Sequence, residues 1–169
     1  MNKSTKIVSI SIAALFLVTA GLWLINGGGV ADEDTGAVIL FKEDGVVITE
    51  ADLEYVKSLN SFTFETVIRS SGQKPAGAEY TGVFLKDLLA GTGIPLDGKK
   101  QVTVKGADGY AWTIALSELE EKDVYIVFEM NGKPLKSKIQ NGDGPFQLVI
   151  PGDRFSQRWC KYVCEVDVK

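Results

Sequence analysis

Downstream of residue 36 the chain alternates between short apolar runs and clusters of turn residues. Ala37 to Phe41 is apolar and β-prone, Glu43-Asp44-Gly45 is a turn, and Val46-Val47-Ile48 resumes the apolar run. That pattern predicts a hairpin. Thr49 is expected to cap a helix opening Glu50-Ala51-Asp52-Leu53, with acids in its first turn as the helix dipole favours. Ser61 to Ile68 alternates loosely and reads as a strand, and Arg69 to Gly77, rich in Ser, Gly and Pro, reads as a loop. Val83, Leu85, Leu88 and Leu89 share one helical face, and Gly91 and Gly93 end that helix.

Further along, Gln101 to Lys105 and Tyr110 to Ala115 are strands joined by a tight Gly106-Ala107-Asp108-Gly109 turn. Ser117-x-x-Glu120 has the form of a capping box opening a short helix. Val124 to Met130 is a strand, and Asn131-Gly132 is the strongest hairpin signal in the chain. Ile139 to Gly144 reads as loop, Phe146 to Ile150 as a buried strand, and Trp159 to Val168 as the last strand. With about seven or eight strands, two or three short helices and no repeat, the class is α+β with strands dominating.

The first 36 residues have a different character. Lys3 and Lys6 precede an apolar run, Ile7 to Ile25, broken only by Ser9, Ser11, Thr19 and Gly21. Asn26-Gly-Gly-Gly-Val-Ala31 follows, which is the layout of a secretory signal with Ala31 at the cleavage point. The same run, at about 1.5 Å per residue, nearly spans a bilayer core of roughly 30 Å, so residues 1–31 read either as a signal peptide or as a membrane anchor. Both readings place the domain at 37–169 outside the cytoplasm, because positive charge stays inside. Residues 32–36 are a polar linker.

The chain has 169 residues, which suggests one domain plus the targeting segment. Its 18 basic and 22 acidic side chains give a net charge of −4, unsuited to a sequence-independent nucleic-acid binder. Histidine is absent, which removes Ser-His-Asp and Cys-His catalysis and every His-bearing zinc site. Two cysteines, Cys160 and Cys164, cannot alone complete a four-Cys zinc or iron–sulfur centre. On a regular strand they would face one side about 13 Å apart, beyond the roughly 7 Å Cα limit for a disulfide. They read as buried thiols, or as a redox or metal pair.

Several segments, in order, resemble one known domain. Tyr80-Thr81-Gly82-Val83-Phe84-Leu85-Lys86-Asp87-Leu88-Leu89 resembles its aromatic-x-Gly-Val-Pro-Leu-x-x-Leu-Leu motif, and Gly93-Ile94 the Gly-Ile that follows. Gly106-Ala107-Asp108-Gly109-Tyr110 is similar to its Asp-Gly-Tyr turn, and Asn131-Gly132-Lys133-Pro134-Leu135 to its Asn-Gly-x-Pro-Leu hairpin. Gly144-Pro145-Phe146-Gln147-Leu148-Val149-Ile150-Pro151 matches its Gly-x-Pro-hydrophobic-Arg-Leu-Val-Val-Pro strand, and Lys161-Tyr162-Val163 its terminal Lys-Trp-Leu. The domain is the molybdopterin-binding domain of the sulfite oxidase family, and the resemblance spans residues 37 to 168.

The resemblance implies a strand-rich mixed-sheet fold and a mononuclear molybdenum held by a pterin dithiolene and one protein cysteine. It also implies oxygen-atom transfer or reduction of an oxidised substrate, with a redox partner protein supplying or taking electrons. Counting back from Gly82, the ligand position falls near Ser70, and no cysteine occurs before Cys160. Ser70 is therefore the candidate metal ligand, a harder donor than a thiolate; the alternative is a serine that closes a turn. Gln147 stands where many members carry Arg, so a forked cation is replaced by a neutral amide. Arg69, Lys74, Arg154, Arg158 and Lys161 could form an anion site for a pterin phosphate or a solvated basic edge. Asp108 and Tyr110 could hydrogen-bond a heterocycle or serve the turn. The cofactor-binding candidates are thus Arg69, Ser70, Asp108, Tyr110, Gln147, Arg158 and Lys161, with Trp112 and Trp159 expected in the core. Two functions follow: a molybdopterin-binding oxidoreductase-like domain with a degenerate cofactor site, or a non-catalytic module of the same fold for an anionic heterocycle or a protein partner. A third is a membrane-tethered accessory subunit whose cysteine pair senses redox state.

Overall fold

The computed structural model describes residues 37–169; the expected signal or anchor and the linker lie outside the described residues. Two sheets share one core. The first holds five strands in the order β2-β1-β10-β5-β6: β1 (Val38–Glu43), β2 (Val46–Asp52), β5 (Gln101–Gly106), β6 (Ala111–Ala115) and β10 (Val163–Val168). The second runs β3-β4-β7-β8, with β3 (Phe62–Ile68), β4 (Ala76–Phe84), β7 (Tyr125–Met130) and β8 (Lys133–Pro134), while β9 (Gln147–Val149) pairs with β7. All pairings are antiparallel except β1 with β10, which run parallel with Leu40 opposite Glu165. The outcome is the strand-rich mixed-sheet α+β class.

Alternation builds the core, as period-2 side-chain placement requires. Ile39 and Phe41 of β1, Val102 and Val104 of β5, and Val166 and Val168 of β10 point inward from the first sheet. In the second sheet β7 and β9 are covered on both faces, so the consecutive pairs Ile126-Val127 and Leu148-Val149 are all buried, with Tyr80 and Phe146. Three one-and-a-half-turn helices, α1 (Leu53–Ser58), α2 (Leu85–Gly91) and α3 (Leu116–Glu121), bury Val56, Leu85, Leu88, Leu89 and Leu119. Among the described residues no helix is long and apolar enough to cross a membrane.

Five expectations are corrected. The helix expected to open after Thr49 opens after Asp52. Residues 46–52 pair with β1 apart from a bulge at Ile48, and Asp52 is the cap, accepting from Tyr55 N at 2.7 Å. The loop expected to run to Gly77 gives way at Ala76 to β4, which also takes Val83 from the expected helix. Ala76-Gly77-Ala78 pairs with Ile68, Val67 and Thr66 of β3, and this pairing outweighs its poor strand propensity; β7 bonds only the later part of β4, from Tyr80 to Phe84. The capping box does not form: Ala115 holds the cap position of α3, without a side-chain cap, and Ser117 lies inside the first turn. The last strand starts at Val163 rather than Trp159, because Tyr162 adopts φ +56° and turns the chain. Trp112, expected in the core, is 36% exposed at the sheet edge.

Candidate functional site

The candidates meet around one segment, residues 150–162, which passes from β9 of the second sheet to β10 of the first. It contains the turn after Ile150, a single 3-10 turn (Ser156–Arg158) and the bend at Tyr162. Each part is tied to a different element. Ser156 exchanges two hydrogen bonds with the backbone of Arg69, its Oγ accepting at 2.9 Å and its N–H donating at 3.1 Å. The Tyr110 hydroxyl donates to Gln157 O. Trp159 Nε1 donates to Ile150 O at 3.2 Å. Leu148 N donates to Cys160 O at 2.8 Å, and Tyr162 N to Asp143 O at 3.1 Å. The segment thus draws the β3–β4 loop, the β5–β6 turn and α3 together.

The charged candidates here are closed by partners. Arg158 donates from Nε to Asp153 Oδ2 at 2.7 Å and from Nη2 to Asp153 Oδ1. Its Nη1 donates to Glu118 Oε1 at 2.6 Å. These bonds raise the Arg158 pKa, the Asp153 bonds contributing most. Glu118 is held below the usual carboxylate range by its hydrogen bond from Lys122, and then by Arg158. Lys161 pairs with Asp143 at 2.7 Å. Arg154 is exposed over the ring of Phe155 at 5.5 Å. Arg69 and Lys74 are exposed on the β3–β4 loop. The Asp108 carboxylate accepts from Tyr110 N at 3.0 Å, closing its own turn.

Ser70 is also exposed, and its carbonyl accepts from Gln73 N at 3.2 Å in a turn. Gln147 is 3% exposed, and its Oε1 has no partner among the described residues. Both thiols are free. Cys160 is buried, with Sγ near Tyr110 O at 3.7 Å and Lys161 O at 3.6 Å, and burial pushes its pKa up to about 12. Cys164, partly buried with Sγ 3.6 Å from Lys105 O, is also raised, chiefly by burial.

A molybdenum dithiolene calls for a soft anionic donor and a cationic cradle for the phosphate. The donor set here does not fit. Ser70, the candidate ligand, lies in an exposed turn, both thiols favour the protonated form, and Arg158 and Lys161 are ion-paired. Among the described residues, no group of three or more acids or cysteines is placed to hold a metal. Two concavities lie elsewhere. One of about 540 Å³ runs between Glu65 of β3, Glu79 of β4 and Asn131, and one of about 410 Å³ between Met130, Lys133, Lys136 and Asp143. The sequence reading missed Glu118, Asp153, Asp143 and Ser156. Carboxylates on separate elements carry no spacing signal, and Ser156 acts through a backbone contact 87 residues away.

Residues 53–169 match the family model of the oxidoreductase molybdopterin binding domain. Among solved structures, the sulfane dehydrogenase SoxCD from Paracoccus pantotrophus is similar, with a TM-score of 0.63 and 21% identity over 83% of this chain. The match covers 39% of that chain, so the present chain spans about two-fifths of its length. Comparison with curated proteins gives no match.

Proposed function

The chain belongs to the oxidoreductase molybdopterin-binding domain family, and from that premise we propose that it is an extracytoplasmic member with a degenerate cofactor site. It acts as a binding module rather than a complete redox centre. One observation carries this reading: Ser70, near which the family resemblance would put the ligand, is in an exposed turn, and no thiol lies within the β3–β4 loop. A serine oxygen must lose a proton far less acidic than a thiol's before it can ligate, and nothing around Ser70 assists that loss. The second support is electrostatic. Arg158, the most deeply placed of the candidate cations, is spent on Asp153 and Glu118. The extracytoplasmic assignment rests on Lys3 and Lys6 followed by the apolar run to Ile25. The ligand of such a module is an anionic heterocycle or a protein partner meeting the exposed cations Arg69, Lys74 and Arg154.

The test is to purify the full chain from a host that makes the molybdenum cofactor and exports the protein. Molybdenum and tungsten are then assayed by mass spectrometry, and oxidised pterin by fluorescence, in one sample. The expected result is no stoichiometric metal, with or without pterin. Near-stoichiometric metal together with pterin would overturn the degenerate-site reading and turn attention to Ser70 as ligand.

A further inference from the structure

We propose that the loop joining β8 to β9, together with β8 itself (residues 133–144), is a contact surface for anionic lipid headgroups. The argument begins with charge. The chain is acidic overall, yet Lys133, Lys136 and Lys138 fall within six positions of one another. Seven of the other thirteen cations among the described residues meet carboxylates: Lys42, Lys57, Lys99, Lys122, Arg158, Lys161 and Lys169 are ion-paired. Among the described residues, Lys133, Lys136 and Lys138 have no carboxylate partner, and Lys138 lies 5.6 Å over the ring of Tyr162. Beside them Ile139 is 68% exposed. Lysines flanking an exposed aliphatic side chain are the composition of a membrane-surface contact: the ammonium groups meet phosphates and the aliphatic group enters the interface.

The loop is held in shape. Leu135 is buried and donates its N–H to Phe128 O at 2.8 Å, Gly142 N donates to Ser137 O at 2.9 Å, and Gly144 N to Lys136 O at 2.8 Å. Gly142 and Gly144 lie so close to Lys136 and Leu135 that a Cβ at either position would collide with them. The cations and Ile139 therefore project from a fixed platform, which lowers the entropy lost on docking. Lys133 and Lys136 border the concavity of about 410 Å³, with Met130, Pro134 and Leu135 beside them. Its volume admits a phosphate headgroup, and Asp143, which also lines it, is paired with Lys161.

Chain length is compatible with charge, on the reading of Ile7 to Ile25 as a membrane anchor. Eleven residues separate Ala37, where the described residues begin, from the apolar run ending at Ile25, a span of at most about 35–40 Å. The inference does not depend on whether the cofactor site is degenerate.

The test uses the full chain reconstituted into vesicles of phosphatidylcholine alone, or of phosphatidylcholine with phosphatidylglycerol. Amide exchange of residues 133–144 is followed by mass spectrometry. Slower exchange is expected on the phosphatidylglycerol vesicles, reversed by high salt and by the triple variant K133Q/K136Q/K138Q. Each lysine is expected to contribute about fivefold to the association at low ionic strength. A control triple, K86Q/K100Q/K105Q, makes the same change in net charge and should leave the protection in place. Equal exchange on both vesicle types would overturn the proposal. So would equal loss in the control triple, which would assign the effect to net charge. Inorganic phosphate reproducing the protection on phosphatidylcholine vesicles would overturn it in favour of a free-anion site.

Discussion

Arg158→Gln separates a structural guanidinium from a ligand-binding one. In the native domain Arg158 makes three bonds, two to Asp153 and one to Glu118. The side chains of Arg158, Asp153 and Glu118 are 17%, 9% and 23% exposed. Glu118 keeps Lys122 at 2.8 Å after the change, whereas Asp153 loses the only cation that meets it among the described residues. Breaking a fully buried pair costs about 3–5 kcal/mol, and a surface pair is worth about 0–1. Solvent still reaches all three groups, so the expected cost lies between these limits, at about 2 kcal/mol. In a chain of this length that corresponds to a Tm lower by about 4–8 °C.

Urea unfolding at neutral pH reads the loss as a shifted midpoint with unchanged slope. Acid supplies the sign. Glu118 is held down in the folded state, so its contribution is present above its unfolded pKa of about 4.3 and is lost as pH falls through the lower native value. The gap between wild type and variant should narrow below about pH 4. An unshifted midpoint at neutral pH, accompanied by loss of binding to inorganic phosphate, would refute the reasoning and make Arg158 a free anion-binding cation.

Five further outcomes are expected. Gly82→Ala would place a methyl 2.6 Å from Val127 Cα and closer still to Ile126 O, prising β4 from β7 at a cost of about 1–3 kcal/mol or more. Gly77→Ala, with nothing within 4 Å, should leave the thermal midpoint within about 0.5 kcal/mol of wild type. Gln147→Met should be neutral or stabilising by denaturant titration, because it removes a buried acceptor without a partner. Gln147→Arg, which restores the side chain common in the family, buries an unpaired charge and should cost on the order of 3–5 kcal/mol; an unchanged midpoint would mean that an anion reaches position 147. Cys160 keeps its proton to about pH 12 when folded, while an unfolded thiol ionises near 8.5. Its contribution is therefore whole below about pH 8.5 and declines as pH rises, so stability should fall more steeply between pH 9 and 10 in wild type than in Cys160→Ala. Parallel slopes would contradict a protonated native thiol.

Much of the fold was legible along the chain. Glu43-Asp44-Gly45 marked the first hairpin, and Asn131-Gly132 the second, where both residues adopt positive φ as a two-residue hairpin turn requires. The glycines, prolines and apolar runs that carry the family resemblance are local features, readable because backbone geometry and burial act residue by residue. Gly82 shows this: it occupies a fixed place in the motif, and in the fold it is the point where β7 approaches β4 too closely for a side chain. β4 was less visible, since Ala76-Gly77-Ala78 carries little strand propensity and is extended because β3 pairs with it.

The site was legible only as a set of residue types. The sequence named Arg158, Lys161, Tyr110 and Asp108, and the fold gathered them around residues 150–162. What each side chain is free to do was decided by groups remote in sequence: Glu118 forty residues from Arg158, Asp143 beside Lys161, and Ser156 holding the loop that carries Ser70. The absence of histidine and of any cysteine before residue 160 was chemistry that composition alone could set. The neutralisation of Arg158, the burial of Cys160 and the exposure of Ser70 required the chain to close on itself, because charge pairing and desolvation depend on distance through space.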